Sequence, residues 1–450
     1  MATYLNDLMQ SLTDRGRTFL GRPRETLQPG DLTALGEALL SRRGEASGVV
    51  IARSLLDGYA AAPLATRLGF LTALADRFGS DPDALDRAIE AYRASPGPKT
   101  IGALHHAAEA RRQELFRRLN LAPGGTAALV RMRAELLTHL SARPDLRGVD
   151  DDFVHLFASW FNRGFLVLRP IDWTTPANIL ERIIRYEAVH EINGWNDLRN
   201  RLEPSDRRCF GFFHPQLVDD PLIFVEVALT TSIPGAIPPL LATDRVPIRA
   251  EDANTAVFYS ISNTQKGLAG VSFGHFLIKQ VADDLKRDLP NLKTFVTLSP
   301  VPGFAAWLAR ERAEAVSRYL SAEDLDVLNA LDDPNWAFDP VPAEAVRKVM
   351  ITAAASYFLR AKTARGQPID PVARFHLGNG ARLERVNFLG DPSPKGMKQS
   401  HGLMVNYLYD LNDIERNHEV YAEKGEVIAA PGVRRLLRAD LPTRDLVTES

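Results

Sequence analysis

The chain of 450 residues has a single cysteine, Cys209. One thiol cannot close an intrachain disulfide, and no CxxC pair is present to hold structural zinc, so packing must hold the fold. Long apolar runs are missing as well. The longest uncharged stretch, Val227 to Thr243, is broken by Pro234, Pro238 and Pro239 and falls short of the roughly 18 residues that read as a membrane helix. The opening residues, MATYLNDLMQSLTDRGR, carry acids and no sustained apolar segment, which argues against a secretory or organelle-targeting peptide. Charge of one sign is lacking too. Lys plus Arg number 54 against 56 Asp plus Glu, a net charge of -2, which gives no global field for coating nucleic acid or an anionic membrane. Lysine itself is scarce, ten in all with Lys99 the first, so the leading part of the chain relies on arginine. A cytoplasmic protein with no nucleic-acid or membrane partner is the expectation.

What is present is an ordinary globular composition, 45% hydrophobic and 24% charged, and a length that admits two or about three domains. Up to about Trp160 the apolar residues recur at helical spacing, as in DLTALGEALLSRR, PLATRLGFLTALADRFG and TAALVRMRAELLTHL. Asp31 and Asp81 stand where N-caps belong, with Pro82 at a first helical position. This part, 1–160, reads as an all-helical bundle without a repeat. The acids Asp150, Asp151 and Asp152 read as an N-cap cluster opening DFVHLFASWF, not as a metal site. Arg111 with Arg112 and Arg117 with Arg118 read as solvated helix faces.

After Gly164 strands and helices alternate. FLVLRP, RCFGFFH, PLIFVEVALTT, TAVFYSISNT and KTFVTLSP read as strands, whereas TPANILERIIRYEAVH, VSFGHFLIKQVADDLKRDL and AEAVRKVMITAAASYFLRAKTA read as helices. A mixed α+β chain results, with 161–450 as one α/β domain and a helical insertion at 304–365 splitting its later strands. Cys209 begins an apolar strand and reads as a core thiol.

The segment 255–304 parses as strand, glycine-bearing loop, amphipathic helix, second strand and a Ser-Pro turn. Gly267, Gly270 and Gly274 would let backbone N–H groups approach a pyrophosphate at a helix start; a tight turn without ligand fits equally. No GK[ST] comes after it and GxGxxG is not matched. Thr264, Gly267 and Ala269 in one register, and Gln265 with Gly270 in another, resemble the pyrophosphate loop of the GCN5-related N-acetyltransferase superfamily.

Longer segments carry a more specific resemblance. FYSISNTQKGLAGVSFGHFLIK, LSPVPGFAAWL, ARFHLGNGARLERVNFLGD and GLMVNYLYDL, with ASWFNRGFL and GWNDLRNRL, are similar in order and separation to segments of the malonyl-CoA decarboxylase family. The resemblance covers roughly 150 to 415. It implies an N-terminal helical oligomerisation domain followed by a GCN5-related N-acetyltransferase-like α/β domain, and conversion of malonyl-CoA to acetyl-CoA and CO2.

Carried over position by position, the resemblance implies Ser299 and His376 as catalytic residues. It implies Ala269, Gly270, Val271, Ser272, Phe273, Gly274 and His275 as the substrate-binding stretch, with Ser299 and His376 also touching malonyl-CoA. Animal members have a glutamate where this chain has Ser272, so no carboxylate role transfers there. Gln265, Gly267, His401, Asn406 and Tyr409 are candidates for cleft lining, the last two more readily read as packing. Read from the residues alone, Ser299 before Pro300 is a turn residue and His376 a core histidine of an aromatic strand; the resemblance reverses both. No metal and no separate cofactor is implied, coenzyme A being part of the substrate, and a homodimer or homotetramer through the helices is implied. The expected chemistry is decarboxylation through an enolate, protonated with a non-covalent Ser-His pair, in malonate or malonyl-CoA breakdown. The rival readings are an acetyl-CoA-dependent N-acyltransferase and a non-catalytic protein that binds CoA esters.

Overall fold

A computed structural model describes residues 31–41, 44–217, 219–271 and 277–438. The chain forms two compact units. The first comprises Met1–Val167 with Phe213–Leu222 and Thr264–Phe273; the second comprises Leu168–Phe212, Ile223–Asn263 and Gly274–Ser450. Two short segments from beyond residue 160 thus pack with the helices.

The first unit is helical, from Leu32–Leu40 to Arg147–Trp160. Asp31 accepts the Ala34 N–H and Asp81 the Ala84 N–H, each satisfying an orphan donor of a first turn. Its centre is aromatic. Phe116 stacks on Phe153 with centroids 4.1 Å apart, and Phe157 meets Phe161 edge-on at 5.6 Å. The aspartates at 150–152 do not open this last helix, because Arg147 does; they lie inside its first turns, where Asp150 and Asp152 take ion pairs. Asp152 accepts Arg112 Nε at 2.5 Å, and Arg112 also donates to the Gly148 carbonyl at 3.1 Å. Arg112 is therefore a cross-link between helices and not part of a solvated face.

Among the described residues eight strands form a sheet, most of it in the second unit, in the order β1-β2-β3-β4-β5-β8-β6, with β7 paired to β8. The strands are β1 Val167–Ile171, β2 Arg207–Phe213, β3 Pro221–Thr230, β4 Thr255–Asn263, β5 Thr294–Thr297, β6 Ser299–Pro300, β7 Arg382–Asn387 and β8 Met404–Leu408. Helices Phe304–Ala313, Ala322–Leu328 and Pro340–Leu359 separate β6 from β7, where the insertion was expected. Cys209 is buried in β2, and burial pushes its thiol pKa up. Among the described residues no helix is long and apolar enough to cross a membrane.

Two irregularities of this sheet shape the end of its parallel pair. β4 and β5 run parallel only from Thr255 opposite Thr294 to Phe258 opposite Thr297. One further bond, Leu298 N–H to the Phe258 carbonyl at 3.1 Å, ends the pairing. β4 then continues to Asn263 against β3, while Ser299 turns away to pair with Val405 of β8. The parallel pair therefore forks at its carboxyl end, a place where open α/β sheets offer a crevice. Next to the fork, β3 and β4 slip register: Glu226 faces Ser260 and Val227 faces Phe258, leaving Tyr259 as the extra residue of a bulge.

Two sequence readings change here. ARFHLGNG is not a strand, because residues Pro371–Gly378 form a helix. Asp370 accepts the Ala373 N–H at 2.7 Å and Pro371 presets the first turn, so cap and proline outweigh the apolar alternation. The helix of TPANILERIIRYEAVH stops at Tyr186. Glu187 instead turns back to accept the N–H groups of Val189 and His190 at 2.7 and 2.8 Å.

Candidate active site

Ser299 owes its place to the fork. Released from β4, it is fixed by β8, and two residues earlier on the same face stands Thr297. The Ser299 hydroxyl donates to Thr297 Oγ1 at 2.9 Å and lies 3.1 Å from Nε2 of His376. His376, in the second turn of the helix that Asp370 caps, reaches the same point from the other side. Its other nitrogen, Nδ1, lies 2.8 Å from the hydroxyl of Tyr409, just past β8. The Tyr407 ring stacks on the imidazole with centroids 4.6 Å apart and planes at 25°. Ser299, His376 and Tyr409 are 5%, 3% and 1% exposed.

The three groups form a chain of hydrogen bonds whose direction follows from donor arithmetic. With the Ser299 hydroxyl donating to Thr297, the tautomer that satisfies the contact at Ser299 is the one protonated on Nε2. In that tautomer the Tyr409 phenol is the donor to Nδ1. Burial, with no carboxylate beside it, pushes the His376 pKa down to about 3, and burial raises that of Tyr409.

Ser299 and His376 open onto a cavity of about 250 Å³ whose remaining wall is mostly apolar, including Val189, Phe258, Ile261, Val372 and Phe375. Val189 comes from the turn that Glu187 organises. That turn is held from two further sides: Lys395 Nζ donates to the carbonyls of Ala188 and Val189, and the Arg201 guanidinium to those of His190 and Glu191.

The other sequence candidates divide. Tyr409 is brought onto His376, where packing was the preferred reading. Asn406 is fully buried and does not line the cavity. Its amide donates to the carbonyls of Thr297 and Pro234 and its oxygen accepts from Asn387 and Arg385, so it anchors the strand end beneath Ser299. His401 caps the helix Pro394–Ser400 at a φ of 52°, also away from the cavity lining; burial and then the Arg312 charge lower its pKa.

Gln265, Gly267, Ala269, Gly270 and Val271 belong to the first unit. Gly267 is pressed on the helix Gly125–His139, and Gly270 has a φ of 75°. Ser272, Phe273, Gly274 and His275 lie outside the described residues. Sequence reading missed Thr297 and Val189. The first carried a signal, two residues before Ser299 in an alternating strand; the second did not.

A mixed α+β chain with a buried Ser-His-Tyr hydrogen-bond chain beside a cavity at a strand fork has the makings of an active site, and comparison with known proteins makes the class specific. Residues 164–447 match the family described as malonyl-CoA decarboxylase C-terminal domain, and residues 78–161 its N-terminal domain. A mitochondrial malonyl-CoA decarboxylase of Anser anser anser is 34% identical over 390 residues, 79% of this chain and 76% of the relative. The crystal structure of malonyl-CoA decarboxylase from Rhodopseudomonas palustris is 65% identical, with a TM-score of 0.88 over 91% of this chain and all (100%) of the other. That from Agrobacterium vitis is 61% identical, with a TM-score of 0.86 over the same 91% and 100%. The chain belongs to the malonyl-CoA decarboxylase family, a family of carboxy-lyases.

Proposed function

We propose that this chain converts malonyl-CoA to acetyl-CoA and CO2, with Ser299 and His376 acting as a non-covalent pair. The bond from the substrate's α-carbon to its carboxylate breaks, CO2 leaves, and the electron pair moves into the thioester as an enolate. The thioester itself accepts these electrons, so the reaction needs no separate cofactor. The α-carbon then takes a proton through the Ser299–His376 pair, and one solvent proton per turnover restores it.

The observation that supports this reading is the buried Ser299–His376–Tyr409 chain, in which burial favours the neutral ring and the tautomer protonated on Nε2 fits both contacts. A serine nucleophile requires a histidine that accepts its proton and a carboxylate that stabilises the imidazolium. Here the partner of Nδ1 is a phenol, and burial opposes the positive ring. An imidazole kept neutral instead offers its N–H to developing negative charge, as in enzymes that polarise a carbonyl with neutral histidine. Donors of this kind are worth roughly 2.7–4 kcal/mol each at an oxyanion. The stretch 269–275 is read as the contact for the CoA part of the substrate, on the family resemblance.

The test is direct. Purified protein is incubated with malonyl-CoA alone and the acyl-CoA product identified by mass; acetyl-CoA is expected without any acceptor amine, and intact substrate rejects the reading. His376→Ala is expected to slow product formation by about 100-fold or more. Near-normal turnover in that variant rejects the role given to the pair.

A further inference from the structure

The buried guanidinium of Arg133 sits far in sequence from every residue named by the family resemblance. It is 2% exposed on the helix Gly125–His139, and its Nε is paired with Asp150 at 2.7 Å. Its Nη1 donates to two backbone carbonyls, Gly267 at 2.7 Å and Ala269 at 2.8 Å. All four residues belong to the helical unit. Burying an arginine costs several kcal/mol of hydration unless its donors are taken up, and here two of its bonds are directed at one turn of backbone. The same turn is pressed down beside it. A Cβ at Gly267 would stand 1.9 Å from the Val130 carbonyl oxygen.

Capturing a carbonyl also aims the amide on the other side of its peptide plane, because C=O and the following N–H point opposite ways in a trans peptide. The plane after Gly267 carries the Leu268 N–H, which bonds the Gln265 carbonyl at 2.9 Å. The plane after Ala269 carries the Gly270 N–H, which no acceptor takes among the described residues. Gly270 is exposed with a φ of 75°, and among the described residues nothing lies within 4 Å of where a Cβ would lie. An aimed, unshielded N–H on an open glycine is a ready donor for an anionic or carbonyl oxygen.

We propose that Arg133 is a positioning residue for substrate: by holding the carbonyls of Gly267 and Ala269 it presents the Gly270 N–H to an oxygen of the coenzyme A moiety. The inference rests on the reading of 269–275 as the CoA contact. One hydrogen bond to a charged group corresponds to about tenfold or more in affinity.

The experiment compares two substrates, malonyl-CoA and the malonyl thioester of N-acetylcysteamine, which lacks the nucleotide and most of the pantetheine arm. In Arg133→Lys a compact ammonium replaces the planar fork and cannot serve both carbonyls and Asp150 together. KM for malonyl-CoA is expected to rise about tenfold with kcat within about twofold, and kcat/KM on the truncated thioester to stay unchanged. Equal losses on both thioesters, or no loss on either, overturn the proposal. Asp150→Asn, which weakens the anchor without removing the guanidinium, is expected to give the same selective effect at about threefold; it decides the matter if Arg133→Lys does not fold. A wild-type protein that uses both thioesters equally well overturns instead the reading of the loop as a CoA contact.

Discussion

The Tyr409 hydroxyl lies 2.8 Å from Nδ1 of His376, on the side of the ring away from Ser299. In a serine hydrolase of the Ser-His-Asp type a carboxylate stands behind the histidine; here a phenol does, the donor when the ring is protonated on Nε2. In that tautomer an N–H, not a lone pair, is directed at Ser299 Oγ 3.1 Å away.

Tyr409→Phe removes that donor while keeping the ring that meets Phe258 edge-on at 6.3 Å. Nδ1 would then be a buried acceptor without a partner, which costs about 1–3 kcal/mol or drives the ring to the other tautomer. kcat is expected to fall by about tenfold or more, with KM for malonyl-CoA changed by less than about threefold. Steady-state kinetics check this. An unchanged kcat would mean that the phenol only fills space.

The pH dependence follows from the same burial. With its pKa pushed down to about 3, His376 does not titrate between pH 5.5 and 8, so kcat is expected to be flat, within about twofold, over that range. A limb with an apparent pKa near 6.5 assigned to this residue would contradict the neutral-donor role. Stability behaves differently. The unfolded ring titrates near 6.5, so above that pH neither state binds the proton and the full contribution is present. As pH falls from 6.5 toward about 3 the unfolded state takes up a proton that the native state refuses, and stability is lost. Denaturant unfolding from pH 8 to pH 4 is expected to show a falling midpoint, with a shallower fall in His376→Asn.

Much of this was legible in the residues, and the misses have local causes. The helices up to Trp160 and the caps at Asp31 and Asp81 follow from periodicity and side-chain chemistry. Strand, loop, helix and strand from Thr255 to Pro300 appear in the expected order. The residues around His376 were read as a strand because ARFHL alternates weakly, whereas the Asp370-Pro371 pair, a cap followed by a first-turn proline, carried the stronger signal. The hold of Arg133 on Gly267 spans 134 residues and the Ser299–His376 contact 77. Neither leaves a trace in local pattern; the second was reached only through family resemblance, the first not at all.

Thr297 is the acceptor that orients the Ser299 proton, and it also accepts the Tyr407 N–H at 3.1 Å. Thr297→Val keeps the branched shape of a fully buried strand position but removes both acceptances. The Ser299 hydroxyl would then turn toward Nε2, competing with the N–H that His376 aims at it. kcat is expected to fall by about three- to tenfold and stability by about 1–2 kcal/mol, the cost of a backbone N–H left without its partner. Turnover equal to wild type, with lowered stability alone, would show Thr297 to be structural and the Ser299 proton free to choose its own direction.

Two glycines of one loop separate packing from conformation. At Gly267 a Cβ would meet Val130 carbonyl oxygen at 1.9 Å and carbonyl carbon at 2.8 Å, both backbone atoms of a helix that cannot yield locally. At Gly270 no described residue lies within 4 Å of a Cβ and the φ of 75° opposes a side chain, a cost of about 1–2 kcal/mol. Gly267→Ala is therefore expected to destabilise the helical unit by about 1–3 kcal/mol or more, as overpacking does, and to do so more than Gly270→Ala. Thermal unfolding followed by circular dichroism measures the order of the two midpoints. If Gly267→Ala unfolds no earlier than Gly270→Ala, the loop is not pressed against the Val130 turn. The glycine would then serve ligand approach, as its spacing suggests, and the hold of Arg133 on the loop would be too loose to aim an amide.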